Sequence, residues 1–501
     1  MGAAGLRGGR ERLGRPHDPG DDVTRPECDD GPLGASPDRD GSMSSPGPTG
    51  RRRLDRSILG LALPALGALV AEPLLVLVDS AMVGHLGATS LAGLSLASAV
   101  LTTLVGLFVF LAYATTATTA RFFGAGDRAG GLRAGIDGLW LALLLGAGAA
   151  ILLGAGGPWL VEALGARGAV ADAATAYLRA SAPGLPGMLA VLASTGTLRG
   201  LLDTRTPFIV ATTGAALNAG LNAVLLYGVG MGIAGSGLGT ALAQTAMALA
   251  LARPIVRAAR AAGVPMRPHR AGLGASLGAG LPLLVRTVSL RAAILLTVWA
   301  ATALGEAPLA AHQVVNSLWT FAAFALDALA VAAQALIGTA LGQADAASAE
   351  EASAPPAGGA PPLAVGAVVR RTVAWGALTG VVLGAVMAAA SPWLPRLFTS
   401  DAGVIGLAIP VLLVTASAMP LAGVVYLLDG VLMGAGEGRY LARAGVLTLL
   451  PYAPLAVAIG HLGAASNLGD HGLELLWLAF AWVFMGARAA TTALRARAWR
   501  S

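Results

Sequence analysis

The sequence contains no lysine and only one cysteine, Cys28, among 501 residues. A lone cysteine excludes an intramolecular disulfide and any metal site built from several thiolates. Charged residues make up only 12% of the chain, whereas a soluble domain has about a quarter. Hydrophobic residues make up 55%, and the 69 glycines would let neighbouring membrane helices approach closely. The composition therefore indicates a polytopic protein of the lipid bilayer, and the formal net charge of +6 does not indicate nucleic-acid binding.

The chain contains a series of apolar segments, most of them close to the roughly 20 residues needed to cross a bilayer. Twelve are predicted, at 58–83, 90–119, 134–156, 172–198, 207–228, 232–252, 278–303, 308–340, 366–391, 403–433, 444–461 and 472–494. The loops on one side hold fourteen arginines, whereas the loops on the other side hold only Arg167 and Arg396. Positive charge keeps loops in the cytoplasm, so we predict a multi-pass protein of the inner (plasma) membrane with both termini cytoplasmic.

These segments predict a domain organisation of five parts. Residues 1–53 lack any apolar run and are predicted to form a disordered cytoplasmic tail. Residues 54–256 form an N-lobe of six membrane helices, and 257–277 form a cytoplasmic loop between lobes. Residues 278–495 form a C-lobe of six more helices, interrupted by a linker rich in Ala, Pro and Gly at 346–362.

An internal repeat relates the two halves. Leu281 and Pro282 match Leu63 and Pro64 at an offset of 218 residues, and further matches at this offset continue to the end of the eighth segment. Beyond the predicted linker the offset becomes 234. Parallel halves are typical of secondary transporters, in which the substrate path runs between two bundles. The predicted fold class is an all-α membrane protein of twelve helices in two six-helix lobes.

The first apolar segment carries two carboxylates. Glu72 and Asp79 are seven residues apart and so share one helix face, and Pro73 between them favours a kink. An ionisable side chain inside a membrane segment marks a functional site, and we predict that this face points into the protein. The alternative is a carboxylate solvated among the lipid headgroups at the end of the helix, near Gly84.

The first half also contains polar side chains that are placed to share a pocket with Asp79. They are Tyr177, Asn218, Asn222, Thr240 and Gln244. The two asparagines are four residues apart, as are Thr240 and Gln244, so each pair lies on one helix face. The alternative is that each of these side chains joins neighbouring helices by hydrogen bonds.

The second half lacks a counterpart of Asp79, because Thr297 occupies that position of the repeat. It carries instead Arg286 and Asp327, at similar depth in antiparallel segments. We predict that they form a structural ion pair, since a matched pair costs less in hydrocarbon than a lone charge, and contact with substrate is the alternative. Asp429 lies near the inner end of its segment, where water would solvate it.

Four stretches spread over both halves show a family likeness: LVDSAMVGHLGATSLAGL, LRGLLDTRTP with LNAGLN after it, AAHQVVNSLWTF followed by LDALAVAAQALIG, and LLDGVLMGAGEGRY. They resemble the MATE multidrug and toxic-compound extrusion family, specifically its DinF-type branch, over residues 57–495. The resemblance implies a cation-coupled antiporter in which Asp79 is the proton site. It also implies a network around Asp79 made of Tyr177, Asn218, Asn222 and Thr240. The departure is Asn222, where an aspartate is often found, which leaves one titratable carboxylate in the pocket.

We therefore predict a monomeric antiporter that exports amphipathic, often cationic, small organic molecules in exchange for protons, with sodium as the alternative ion. The substrate cavity is predicted to include Glu72, Gln244, Asp327 and Gln334. No cofactor or metal is expected. The alternative within the same superfamily is a flippase for lipid-linked or amphipathic cargo.

Two other classes fit the sequence poorly. A membrane-embedded enzyme, such as a protease or an acyltransferase, needs grouped nucleophiles, bases or metal ligands. The histidines are scattered and the H-E-x-x-H pattern is absent, so we predict no enzyme. A channel would need rings of charge or a carbonyl filter, and the sequence contains no pattern for either.

Overall fold

The structure of the protein is a computed structural model that describes residues 48–351, 365–464 and 471–497. All regular secondary structure in these ranges is helical. Helices pair every backbone donor and acceptor internally, as an apolar chain requires where water cannot reach it. In chain order the long segments are α1 Pro48–Gly84, α2 Ala88–Gly124, α3 Arg128–Ala163, α4 Gly168–Ser181 continued by Leu185–Gly200, α5 Arg205–Gly228, α6 Ile233–Ala261, α7 Arg270–Ala303, α8 Glu306–Glu351, α9 Val365–Ala390, α10 Ala402–Gly434, α11 Gly438–Ala464 and α12 Gly472–Ala496.

Eleven helices in the described ranges are long and apolar enough to cross a membrane. The twelfth segment is α4, in which a turn of 3-10 helix at Ala182–Gly184 separates helices of 14 and 16 residues. Pro183 lies in this turn, where its missing N–H and fixed φ interrupt regular α-helix. The twelve predicted membrane segments are therefore confirmed, with one of them broken.

Two of the hydrophobic cores each lie within one half of the chain. One core consists only of residues from α7–α12 and includes the large side chains Trp319, Tyr452 and Trp477. Another consists only of residues from α3–α6 and the loop after α6, including Leu132 and Ile255. The predicted fold class, an all-α protein of two six-helix lobes, is confirmed.

The repeat is visible in the backbone at the turns that follow α1 and α7. Gly87 and Gly305, which are 218 residues apart in the sequence, adopt φ values of 112° and 114°. Glycine adopts such positive φ values without the steric cost that a Cβ would add. The same residue type thus makes the same turn at equivalent points of both lobes.

The first helix of each lobe packs against the opposite lobe. In α1, Ile58 is fully buried in a core formed with α8, α9 and α10, and Asp55 accepts a hydrogen bond from Arg371 Nε of α9 at 2.6 Å. In α7, Gly280 packs so closely on α2 that a Cβ there would overlap the ring of Phe110. α1 and α7 therefore connect the two lobes.

The lobes also meet where α2 and α8 end. A Cβ on Gly124 would overlap the carbonyl oxygen of Thr339, and one on Gly342 would overlap that of Arg121. Both contacts join positions related by the repeat, so the two helices cross about a pseudo-two-fold axis. Beside the crossing, Arg121 Nε donates to Asp345 Oδ2 at 2.7 Å. The lobes are closely packed at this end, which the arginine distribution predicts to face the cytoplasm.

Two predicted boundaries on the amino-terminal side need correction. α1 begins at Pro48, so the end of the predicted tail, 1–53, is helical, and residues 1–47 lie outside the described ranges. Proline suits the first turn of a helix and arginine is a good helix former, which explains the early start. The predicted loop 257–277 is shorter, because α6 continues to Ala261 and α7 begins at Arg270.

The predicted linker at 346–362 also begins later than expected. α8 continues as helix to Glu351, because its last residues are mainly alanine and glutamate, which favour helix. Residues 352–364, which hold the rest of the linker, lie outside the described ranges.

Candidate functional site

A cavity of about 290 Å³ lies between the two lobes. Most of its wall is apolar, and the wall includes the flexible side chains Met188, Met247 and Met433. Seven of the nine residues that the sequence predicts for the site line this cavity: Glu72, Asp79, Tyr177, Thr240, Gln244, Asp327 and Gln334. The other two, Asn218 and Asn222, reach the cavity through their hydrogen bonds to these residues.

Asp79 is only 4% exposed and is held by three neutral side chains. Its Oδ1 accepts hydrogen bonds from the Asn222 amide and, at 3.0 Å, from Ser236 Oγ. Its Oδ2 accepts a long hydrogen bond of 3.5 Å from the Tyr177 hydroxyl. No arginine or histidine lies within ion-pair distance of Asp79 in the part of the chain that the structure describes. The alternative of a carboxylate solvated at the end of a helix is therefore wrong.

A second layer of hydrogen bonds holds the partners of Asp79. Asn222 Nδ2 also donates to Asn218 Oδ1 at 3.3 Å, and Asn218 Nδ2 donates to Thr240 Oγ1 at 3.2 Å. The hydroxyls of Thr240 and Tyr177 are 3.5 Å apart. The four predicted partners of Asp79 thus form one connected network across α4, α5 and α6. A turn of π-helix begins at Ala223, directly after Asn222, and such turns are frequent at functional sites.

Ser236 is a direct partner of Asp79 that the sequence analysis missed. It lies four residues before Thr240 on α6, and Gln244 follows four residues after Thr240. The helical spacing that pairs Thr240 with Gln244 thus extends one turn back to Ser236. That spacing was a usable signal.

The remaining predicted cavity residues differ in how they are bound. Glu72 lies on the same face of α1 as Asp79 and is exposed to the cavity. Gln334 is 1% exposed, and its Nε2 donates to the backbone oxygen of Tyr113 on α2 at 2.7 Å. Gln334 thereby connects the lobes, whereas Asp327 makes no hydrogen bond or ion pair with any described residue.

The predicted ion pair between Arg286 and Asp327 is wrong. Arg286 Nη2 instead donates to Asp429 Oδ2 at 2.7 Å, and the same oxygen accepts from Arg488. Asp429 is 4% exposed, so its predicted solvation at the helix end is wrong as well. Depth along a helix, from which the pair was predicted, does not specify rotation about the helix axis, and rotation directs Asp429 toward both arginines.

Two arginines near the ends of their membrane helices are buried. Arg488 of α12 is 8% exposed and Arg199 of α4 is 9% exposed. Arg199 lines the cavity, while Arg488 lies behind it against Asp429. The sequence signal for both was weak, because an arginine near the end of a membrane helix is usually an interfacial charge.

The MatE family model matches residues 64–224 and 357–458 of this chain, which together make up more than half of it. The chain belongs to the MatE family. It is therefore a membrane transporter and not an enzyme, as the sequence predicts, and the predicted resemblance to MATE proteins is confirmed.

Curated relatives of this MATE protein include a bacterial and a plant example. It is 27% identical to the DNA damage-inducible protein F of Escherichia coli, covering 89% of this chain and 93% of that protein. It is 29% identical to the protein DETOXIFICATION 44, chloroplastic, of Arabidopsis thaliana, covering 84% of this chain and 80% of that protein. The bacterial match is consistent with the DinF-type branch.

Solved structures show the same fold. The Vibrio cholerae MATE transporter VcmN in the bent form superposes with a TM-score of 0.77 at 20% identity, covering 90% of this chain and 98% of that one. An outward-facing multidrug resistance MATE family transporter of the MOP superfamily superposes with a TM-score of 0.75 at 22% identity, covering 89% and 97%.

Proposed function

We propose that this MATE protein is an antiporter that exports amphipathic organic molecules in exchange for protons, and that Asp79 carries the proton. One observation carries the proposal: Asp79 is a buried carboxylate in the wall of the cavity between the lobes, and its hydrogen-bond partners are uncharged. A carboxylate removed from water without a cationic partner is stabilised by binding a proton, because burial disfavours its charged form.

Proton binding would rearrange the hydrogen bonds around Asp79. The ionised carboxylate accepts from Asn222, Ser236 and Tyr177, whereas a protonated carboxyl must itself donate one hydrogen bond. Asn222 Oδ1 is a buried acceptor that has no hydrogen-bond partner in the described ranges. Rotation of the Asn222 amide would present this oxygen to the Asp79 proton. Asn222 can therefore donate through Nδ2 to the ionised carboxylate and accept through Oδ1 from the protonated one.

α1 provides a mechanical connection from this network to the opposite lobe. Its first half packs against α8 and α9, while Asp79 in its second half is bound to α5 and α6. Pro73 lies between these two parts and weakens the helix at that point. A proton on Asp79 changes the contacts of the second part of α1 only. The affinity for the proton can therefore differ between two conformations of the helix, and such a difference is what shifts the protein from one conformation to the other.

The donors around Asp79 favour a proton over sodium. A bound cation needs several oxygen ligands, and in the observed arrangement Asn222 Nδ2 and the hydroxyls of Ser236 and Tyr177 all donate to the carboxylate. Within the described residues no group of three His, Cys, Asp or Glu side chains lies close enough to hold an ion. We therefore propose proton coupling, with sodium as an outcome of the test below.

The cavity wall favours an amphipathic cargo. Apolar side chains make up most of its surface, and methionines such as Met188 and Met247 adapt to varied apolar shapes. The acidic Glu72 and Asp79 would attract a cationic group. We propose that the protein works as a monomer in the inner membrane. We also propose that both termini are cytoplasmic, and the arginine distribution supports this orientation.

The proposal is tested with purified protein in liposomes under an imposed pH gradient. Fluorescent amphipathic dyes serve as cargo, and a sodium gradient is imposed in a parallel series. Asp79→Asn should abolish pH-driven dye movement, since the amide cannot titrate. The variant should still fold, because the amide keeps the shape of the carboxylate and removes a buried charge.

The matched control is Asp172→Asn, which changes an exposed carboxylate on α4 outside the cavity and should leave transport unchanged. Undiminished pH-driven movement in the Asp79→Asn protein would remove Asp79 from the mechanism. Movement driven only by sodium in the wild-type protein would replace the proton with sodium as the coupling ion.

A further inference from the structure

Arg199 is a buried cation that forms part of the cavity wall. It lies one residue before the end of α4, where Gly196 and Gly200 bring this helix against α2. A Cβ on Gly200 would lie 2.8 Å from the backbone oxygen of Thr116, so the two helices are closer here than a side chain at position 200 would permit. The close packing of α4 fixes the position of Arg199, which is 9% exposed.

The guanidinium of Arg199 has no partner among the described residues. Within the described ranges it makes no hydrogen bond or ion pair, and its buried Nε has no acceptor there. A buried cation without a partner is costly, and proteins nearly always pair it. An arginine presents its donors in a planar fork that fits a carboxylate, sulfonate or phosphate. The wall therefore lacks an anion at this point.

The neighbouring charges do not supply that anion. Asp429 is already shared by Arg286 and Arg488. Asp327 lines the same cavity and interacts electrostatically with Arg199, but it lies beyond ion-pair distance of any arginine in the described ranges. With all five groups ionised, three positive and two negative charges leave this part of the wall with one net positive charge.

This region is remote from the proton site. Arg199 follows Tyr177, which contacts Asp79, by 22 residues along α4, or about 33 Å of helix at 1.5 Å per residue. Although Arg199 and Tyr177 both line the cavity, several turns of α4 separate them, so a molecule bound at Arg199 does not need to contact Asp79. An anion bound at Arg199 would therefore leave Asp79 free to exchange its proton.

We propose that Arg199 binds an anionic group, such as a carboxylate, on the amphipathic cargo of this transporter. The proposal deepens the function proposed above and rests on it for the identity of the bound molecule as cargo. It extends the cargo from cations to amphipathic acids and zwitterions. Asp327 opposes the binding of the same anion, because it places a negative charge beside the site.

The test measures equilibrium binding and requires no ion gradient. The probes are pyrenebutyrate and pyrenebutanamide, which share one apolar body and differ in a carboxylate and a neutral amide. Their fluorescence is titrated with purified protein in lipid nanodiscs. Wild-type protein should bind the acid roughly tenfold more tightly than the amide, as a charge-assisted hydrogen bond of about 1.5 kcal/mol implies.

Variants assign the preference to Arg199. Arg199→Gln should bind both probes equally, and Arg199→Lys should keep part of the preference because it keeps the charge. Asp327→Asn should strengthen binding of the acid several-fold, because the competing carboxylate is removed. The matched control is Arg205→Gln, which changes an exposed arginine at the start of α5 and should leave the preference unchanged.

Equal binding of acid and amide by the wild-type protein, or a preference that survives in Arg199→Gln, would overturn the proposal. Should Arg199→Gln fail to fold, Asp327→Asn decides, and an unchanged affinity for the acid in that variant is evidence against the site. Asp79→Asn should retain the preference for the acid. Loss of proton coupling in that variant therefore bears on the proposed antiport and not on this binding site.

Discussion

Asp79 and Asp429 are both 4% exposed, yet their surroundings differ in charge. Asp79, in the N-lobe, is held by an amide and two hydroxyls. Asp429, in the C-lobe, is held by Arg286 and Arg488. Two positive charges keep a carboxylate ionised, whereas neutral donors leave it free to titrate. Equal burial thus produces a fixed charge in one lobe and a proposed proton site in the other.

The two lobes share their backbone design more than their chemistry. Gly87 and Gly305 make the same turn after the first helix of each lobe, and Gly124 and Gly342 make reciprocal contacts where the lobes cross. Thr297, at the repeat position of Asp79, instead shares a hydrogen bond with Tyr452, and the two hydroxyl oxygens are 2.5 Å apart. The repeat therefore preserves the positions that need close approach, while the functional side chains have diverged.

The largest expected effect is on stability, and it distinguishes Asp429 from Asp79. Asp429→Asn should lower the free energy of unfolding by about 3–5 kcal/mol, because it leaves two buried arginines without their shared anion. Asp79→Asn should leave the free energy of unfolding nearly unchanged, because it removes a buried charge and leaves no other charged side chain unpaired. The measurement is thermal unfolding of both variants in the same detergent, followed by tryptophan fluorescence.

A compensating variant tests the cause. Combining Asp429→Asn with Arg286→Met removes one cation together with the anion and should recover part of the lost stability. Equal stability of the Asp429→Asn and wild-type proteins would show that Asp429 is not the anion that holds these arginines in place.

A smaller effect is expected from making the N-lobe site more acidic. Asn222→Asp places a second carboxylate beside Asp79, and two adjacent carboxylates hold one shared proton more tightly because both cannot easily be ionised together. The pH at which export is half-maximal should rise by about one unit, the coupling expected of adjoining carboxylates. Export from liposomes measured against pH checks this, and an unchanged profile would contradict the contact between Asn222 and Asp79.

The same variant also tests the choice of ion. Two carboxylates supply more oxygen ligands than one, so Asn222→Asp is the variant in which sodium dependence should emerge if the site can accept a cation. The measurement is export at constant pH with and without sodium, and the wild-type protein serves as the control.

The smallest expected effect comes from Ser236→Ala. The variant removes one donor to Asp79 Oδ1, a hydrogen bond of about 1 kcal/mol that favours the ionised form. The pH for half-maximal export should therefore move upward, by less than in Asn222→Asp. Ser95→Ala is the control, because among the described residues the Ser95 hydroxyl donates only to the backbone oxygen of Leu91 in its own helix. A downward shift in Ser236→Ala would contradict the role given to this hydroxyl.

Sequence patterns were sufficient to predict the membrane helices and most of the network around Asp79. The i, i+4 spacing of Asn218 and Asn222 placed both amides on one face, and the structure joins them by a hydrogen bond of 3.3 Å. The same reasoning failed for Arg286, whose partner is Asp429 and not Asp327. Spacing within one helix is set by local geometry, whereas a partner on another helix depends on how two helices are rotated and tilted.

The sequence by itself determined the twelve membrane segments and the two-lobe repeat, because an apolar chain in a bilayer must pair its backbone within helices. It also determined that a carboxylate lies within the first of these helices. Only the tertiary structure decided which charges meet, since helices distant in sequence pack by side-chain shape. Among the described residues, that packing gave Asp429 two arginines, left Asp79 with neutral donors and left Arg199 without an anion.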